Sequence, residues 1–143
     1  MEMIQKRKWC FAFFTSLILM ASVLLAGCGG KEQAEDKVRD LEFTVVGQNE
    51  IPQELQEIIG QKKKESFRLT YTSGEDLYIA AGYGEQKTGG YSISVPELYL
   101  TENSIVIKTE LQGPGKEEQT GAEPSYPFIV VKTEFMEEPV VFK

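Results

Sequence analysis

Large apolar side chains recur at every second position through most of this chain. Leu41, Phe43 and Val45 alternate with Glu42 and Thr44. Phe67, Leu69 and Tyr71 alternate with Arg68 and Thr70. Tyr91, Ile93 and Val95 alternate with Ser92 and Ser94, and Ile105, Ile107, Thr109 and Leu111 line one face of 104–111. Successive side chains of a strand point to opposite faces, so this period of two predicts sheets with one buried and one wetted face. One segment has a different period. Ile51, Leu55, Ile58 and Ile59 fall at i, i+4, i+7 and i+8, the stripe of an amphipathic helix. Pro52 suits its first turn, Asn49 or Glu50 lies near its N-cap, and Gly60 is placed to end or bend it.

The punctuation between these segments is that of hairpins. Ser73-Gly74-Glu75-Asp76 separates the strand at 67–71 from Leu77–Tyr83, and Glu102-Asn103-Ser104 separates two later strands. Pro96 predicts an edge, a bulge or an interruption in its strand. Residues 112–125 hold Gly113, Pro114, Gly115, Gly121 and Pro124 and no large apolar side chain, which reads as a long loop. Phe128–Thr133 reads as a central strand, and Val140-Val141-Phe142 as a short last strand or a tail packed on a sheet edge. About six or seven strands with short turns and no crossover helix after residue 66 predict a mostly β fold. The expectation is a small antiparallel β-sandwich or open barrel, with the short N-terminal helix packed at an end or edge.

The first thirty residues are of another kind. Lys6, Arg7 and Lys8 precede an apolar run from Phe11 to Leu25. That is the layout of a secretory signal peptide, and the run is short for a membrane span, which needs about 20 apolar residues. It ends in Leu25-Ala26-Gly27-Cys28, which resembles the lipobox of bacterial lipoproteins. The resemblance implies cleavage before Cys28 and a diacylglycerol on its sulfur. Two or more acyl chains would anchor the protein stably at the extracytoplasmic face of the cell membrane, at roughly 0.8 kcal/mol per buried CH₂. The expected organisation is a signal peptide over 1–27, a lipidated N-terminus with a polar flexible linker over 28–40, and a β-rich domain over 41–143.

Composition then excludes several functions. The chain has a net charge of −7, and residues 28–143 keep about 12 of the 15 basic and about 21 of the 22 acidic side chains. Such a surface argues against nucleic acid and against adhesion to anionic lipid headgroups. The two cysteines are Cys10 and Cys28, so the domain can form no disulfide, and histidine is absent. Ser-His-Asp and Cys-His catalysis and the usual zinc ligand sets are therefore excluded. No catalytic residue, metal or cofactor is expected. The adjacent acids Glu75-Asp76, Glu117-Glu118 and Glu137-Glu138 read as solvated surface. Lys62-Lys63-Lys64 reads as a helix end that complements the helix dipole, or as a docking patch for an acidic partner.

The stretch best suited to recognition is Gly82-Tyr83-Gly84-Glu85-Gln86-Lys87-Thr88-Gly89-Gly90-Tyr91. Glycine permits positive φ and close approach, and tyrosine presents apolar area with a polar tip. The plainer alternative is a glycine-rich connector. It is no phosphate loop: Gln86 stands before Lys87-Thr88 where glycine is required, and a strand follows instead of a helix. The candidate contacts are Tyr83, Lys87, Thr88, Gly89, Gly90 and Tyr91, with Tyr126 and Pro127 from the end of the long loop. The two loops are expected to share one end of the sandwich.

Gly84-Glu85-Gln86-Lys87-Thr88-Gly89-Gly90-Tyr91-Ser92-Ile93, a strand hairpin, a Gly/Pro loop with Gln119, and Tyr126-Pro127-Phe128-Ile129-Val130-Val131-Lys132 together resemble the C-terminal domain of the PrcB family. The likeness spans roughly residues 76–134. It implies a non-catalytic lipoprotein subunit that binds and stabilises a subtilisin-like protease outside the cell. Lys87-Thr88-Gly89-Gly90-Tyr91 is also similar to a loop of chagasin-type inhibitors of cysteine proteases, which are immunoglobulin-like sandwiches. This chain lacks their Asn-Pro before the threonine and the Arg and Trp of their later loop. The partner expected is thus an extracytoplasmic protease or another envelope protein. The alternatives are a structural role in the envelope, a chagasin-like protease inhibitor, or binding of cell-wall glycan, although the single tryptophan, Trp9, lies in the expected signal peptide.

Overall fold

The computed structural model describes residues 36–143. The expected signal peptide, Cys28 and most of the expected linker lie outside the described residues. The chain is already paired at Val38, whose N–H donates to the Leu100 carbonyl (2.8 Å).

The strands are β1 (Arg39–Asp40), β2 (Thr44–Val45), β3 (Ser66–Ser73), β4 (Asp76–Tyr83), β5 (Ser92–Leu100), β6 (Ile105–Gln112), β7 (Phe128–Glu134) and β8 (Val140–Phe142). A 3-10 turn (Gln48–Glu50) and helix α1 (Gln53–Lys62) lie between β2 and β3. One sheet has the order β1-β5-β6-β8 and the other β2-β7-β4-β3. Every neighbouring pair is antiparallel except β6 with β8. The fold is mostly β, a sandwich of two four-stranded sheets. The closing segment 140–142 is a strand, and its parallel pairing departs from the expected all-antiparallel arrangement. It returns along β6 after Phe135–Pro139 instead of turning back in a hairpin.

Apolar side chains of both sheets fill the interior. Leu77, Ile79 and Val131 meet Leu98, Ile105 and Ile107, with Leu41 among them. A second cluster lies on the outer face of the β4 sheet, where Ile51, Leu55 and Ile59 cover Phe67, Tyr78, Ala80 and Val130. The helix therefore lies on a sheet face and not at an end or edge. The reason is legible in β4, where Leu77 to Gly82 are all buried. A strand covered on both faces needs apolar residues on both, so Leu-Tyr-Ile-Ala-Ala has no alternation. Gly82 leaves room for the neighbouring ring: a Cβ there would lie 2.1 Å from Phe67.

The first expected strand, 41–47, is divided between the sheets. Leu41 extends the pairing of β1 with β5 through its N–H to the Leu98 carbonyl (2.9 Å), and β2 pairs with β7, so the chain crosses from one sheet to the other between them. Leu41 drops into the interior at 5% exposure, whereas Phe43 and Val45 are 36% and 57% exposed. A segment that changes sheets cannot keep one face inward, and the period of two fails there. Gly60 neither ends nor breaks α1, which continues to Lys62. Pro96 behaves as expected. It lies in β5, beyond the short reach of β1, at a register shift between Ser94 and Glu97.

Leu55 is fully buried between α1 and the sheet. Leu55→Ala is expected to cost about 2–5 kcal/mol, read as a lowered midpoint in urea unfolding.

Candidate binding surface at the loop end

Tyr83 ends β4, and the chain turns at Gly84, whose φ is +73°. A Cβ at Gly84 would stand 3.1 Å from the Ser66 nitrogen, so the turn is fitted against the start of β3. Gln86 and Ser125 then exchange two backbone hydrogen bonds, Gln86 N–H to the Ser125 carbonyl (2.8 Å) and Ser125 N–H to the Gln86 carbonyl (3.0 Å). The Ser125 hydroxyl donates to the Thr88 carbonyl (2.6 Å), and the Gln86 side-chain amide donates to the Tyr83 carbonyl (3.1 Å). Gly90, at φ +84°, is seated under the second loop: a Cβ would lie 2.9 Å from Pro114 Cβ and 3.0 Å from Thr120 Cγ2. The second loop folds on itself through Glu118, whose carboxylate accepts the Gly115 N–H (3.1 Å) and whose N–H donates to the Gly115 carbonyl (3.0 Å). Residues 84–91 and 113–127 thus form one latched surface, brought together as expected.

Within that surface the candidate residues have different positions. The Tyr83 hydroxyl reaches across the interior to the Thr109 hydroxyl (2.7 Å), and Arg68 covers its ring at 4.8 Å. Tyr83 is therefore committed to holding the two sheets together. Pro127 accepts the Tyr83 N–H (3.1 Å), and Thr88 and Gly90 hold the latch. Lys87 is exposed, and a Cβ at Gly89 would meet nothing within 4 Å. Tyr91 is half-buried beside Gly113. Tyr126 donates to Glu85 Oε2 (2.9 Å) and lies 5.6 Å under the Lys63 ammonium. The phenol of Tyr126 is raised above the ordinary tyrosine value, first by its bond to Glu85, then by partial desolvation and the Glu85 charge.

Nothing in the local pattern places Lys62-Lys63-Lys64 at this end. Lys62 closes α1, Lys63 follows as its C-cap, and the Lys64 carbonyl accepts the Glu85 N–H (3.2 Å). Only the docking of α1 across the sheet brings that helix end to the loops. Among the described residues, ion pairs engage Lys37, Arg39, Lys108 and Lys132. Lys62, Lys63, Lys64, Lys87 and Lys116, all on α1's end or these loops, make none.

A broad cleft of about 1150 Å³ opens at the opposite end, lined by Glu42, Glu75, Asp76, Lys132 and Glu134. Two of its acids are already paired, Asp76 with Lys132 and Glu134 with Arg39. No group of His, Cys, Asp and Glu suited to a metal ion occurs among the described residues. No helix among them is long and apolar enough to cross a membrane.

Residues 77–134 match the family model described as PrcB C-terminal. That segment of the chain is similar to PrcB C-terminal domains. The match runs from the second residue of β4 to the last of β7, so it contains both loops and the four strands that hold them. No curated protein and no solved structure matches the chain. The helix α1, the lysines that follow it and β3 lie before the PrcB-like segment, yet they bring Lys62–Lys64 and Arg68 to its loop end.

The two glycines should separate. Gly90→Val is expected to cost about 1–3 kcal/mol because it forces a side chain into positive φ and against Pro114, and to speed amide exchange over 113–127. Gly89→Val is expected to stay within about 0.5 kcal/mol of the parent. Ultraviolet titration should show Tyr126 ionising above the ordinary tyrosine range, and Glu85→Gln should return it toward that range. The sign follows from the raised folded value: the stabilisation is fully present below the unfolded value of about 10 and is lost as pH rises through the folded one.

Proposed function

We propose that this protein is a non-catalytic lipoprotein, anchored through Cys28 on the extracytoplasmic face of the cell membrane, whose loop end binds and stabilises a protease outside the cell. The observation that carries the reading is the extent of the family match. It covers both loops and the strands β4 to β7 that carry them, so a role common to PrcB C-terminal domains falls most naturally on that end. The subtilisin-like class of the partner rests on the PrcB resemblance. The absence of histidine from the chain, and of cysteine after Cys28, supports a binding role over a catalytic one. Lys87 and the open position at Gly89 are the outward elements of the surface, with Tyr91 and Tyr126 beside them.

The test is co-purification of the native lipoprotein in mild detergent after brief crosslinking. A secreted protease is expected among the partners, and Gly89→Trp or Lys87→Glu is expected to remove it while circular dichroism stays unchanged. Recovery of wall glycan alone, or retention of the protease by both variants, would overturn this reading.

A further inference from the structure

We propose that the free edge of β3 forms the second part of the binding surface, and that it pairs by strand addition with an extended, acidic segment of the partner. This rests on the reading that the loop end meets a protein.

The sheet edges differ in how they are protected. β1 and β2 are two residues long and β8 is three. The part of β5 beyond β1 carries Pro96 and a register shift. Short strands, proline and bulges are the usual means of blocking unwanted strand pairing. β3 has none of them. Its eight residues pair with β4 in unbroken register from Ser66 opposite Tyr83 to Ser73 opposite Asp76.

The register also shows which backbone groups are directed away from the sheet. Tyr83 N–H donates to the Pro127 carbonyl, and Phe135 N–H to the Glu75 carbonyl. Odd-numbered residues of β4 therefore turn their N–H and C=O to β7, and even-numbered ones turn theirs to β3. Through the pairing, Phe67, Leu69, Tyr71 and Ser73 bond to β4. Arg68, Thr70 and Thr72 turn their backbone groups outward, and their side chains are exposed too.

Charge selects the occupant. β3 carries no carboxylate, and its one charged residue, Arg68, contacts only backbone carbonyls and the Tyr83 ring. Lys62, Lys63 and Lys64, without ion pairs among the described residues, precede its first residue. Of the nearby acids, Glu54 is bonded to the Tyr71 hydroxyl, Glu85 to the Tyr126 hydroxyl and Asp76 to Lys132, while Glu65 and, at the far end of the strand, Glu75 are exposed. A second copy of β3 would set Arg68 against residues that offer no carboxylate, whereas an acidic strand would meet both the donors and the cations. Strand addition draws affinity from main-chain bonds and specificity from side chains.

The experiment uses the full-length protein in detergent micelles and a fluorescent synthetic peptide of alternating Thr and Val flanked by Glu, read by anisotropy. Two controls are the same peptide with every residue N-methylated and one with Gln for Glu. Binding of the acidic peptide is expected, weakened at least about tenfold, or roughly 1.4 kcal/mol, by N-methylation and by Thr70→Pro, and weakened also by Gln and by salt. Thr70→Pro removes only an outward N–H and should leave the β4 ladder intact. The N-methylated peptide tests the same point on the unaltered protein should the variant misfold. No binding of the acidic peptide, or equal binding of its N-methylated form, would overturn the proposal. Co-purification separates it from the loop-end reading: a protease kept by Thr70→Pro but lost in Gly89→Trp sinks the edge and leaves the loops, and one kept in both sinks both.

Discussion

The structure depends on the burial of β4 from both sides. Its inward residues Leu77 and Ile79 belong to the sandwich interior, and its outward residues Tyr78 and Ala80 lie under α1. A strand with β3 on one side and β7 on the other, a helix above and a sheet below, has little freedom to shift. A one-residue slip would exchange its two apolar faces and move the Gly82 gap out from under Phe67. With no cysteine in the domain, this burial and the hydrogen bonds of the two sheets provide the stability that a disulfide supplies in many small exported domains.

That rigidity is what makes the loop end a surface. β4 and β7 are adjacent and antiparallel, so the exit of one lies beside the entry of the other. The loop leaving Tyr83 and the loop arriving at Phe128 must therefore run together, and the Gln86–Ser125 pair continues their ladder past the last regular residues. Tyr83 ties this end to the other sheet through Thr109. Glycine serves the latch at Gly84 and Gly90, where positive φ and close contact leave no room for a side chain, whereas Gly89 is open. A cluster that looks uniform in the sequence thus contains both structural and outward positions.

Charge is distributed unevenly over this acidic domain. At the far end Asp76 pairs with Lys132 and Glu134 with Arg39, while the lysines of α1's end and of the two loops make no ion pair among the described residues. Surface pairs of this kind contribute little to stability. Lys62, Lys63, Lys64, Lys87 and Lys116 share that end with Glu65, Glu85, Glu117, Glu118 and Glu123, so it is close to neutral on a negative molecule and repels an acidic surface less than the rest of the domain does.

The sequence by itself determined the β-rich class, the hairpins at 67–83 and 91–111, the edge character of Pro96, and the loops that meet. These follow from local physics: the period of two, turn chemistry, and the missing N–H of proline. It also contained the PrcB likeness, in the residues that shape those loops. Only the tertiary structure decided which face α1 covers, because a two-sided strand such as Leu77–Gly82 has no periodicity to show where its second cover comes from. The same holds for the division of 41–47 between the sheets, for the parallel return of β8, and for Lys62–Lys64 and Arg68 at the loop end. Each depends on contacts between residues far apart in the chain, and no local pattern encodes those.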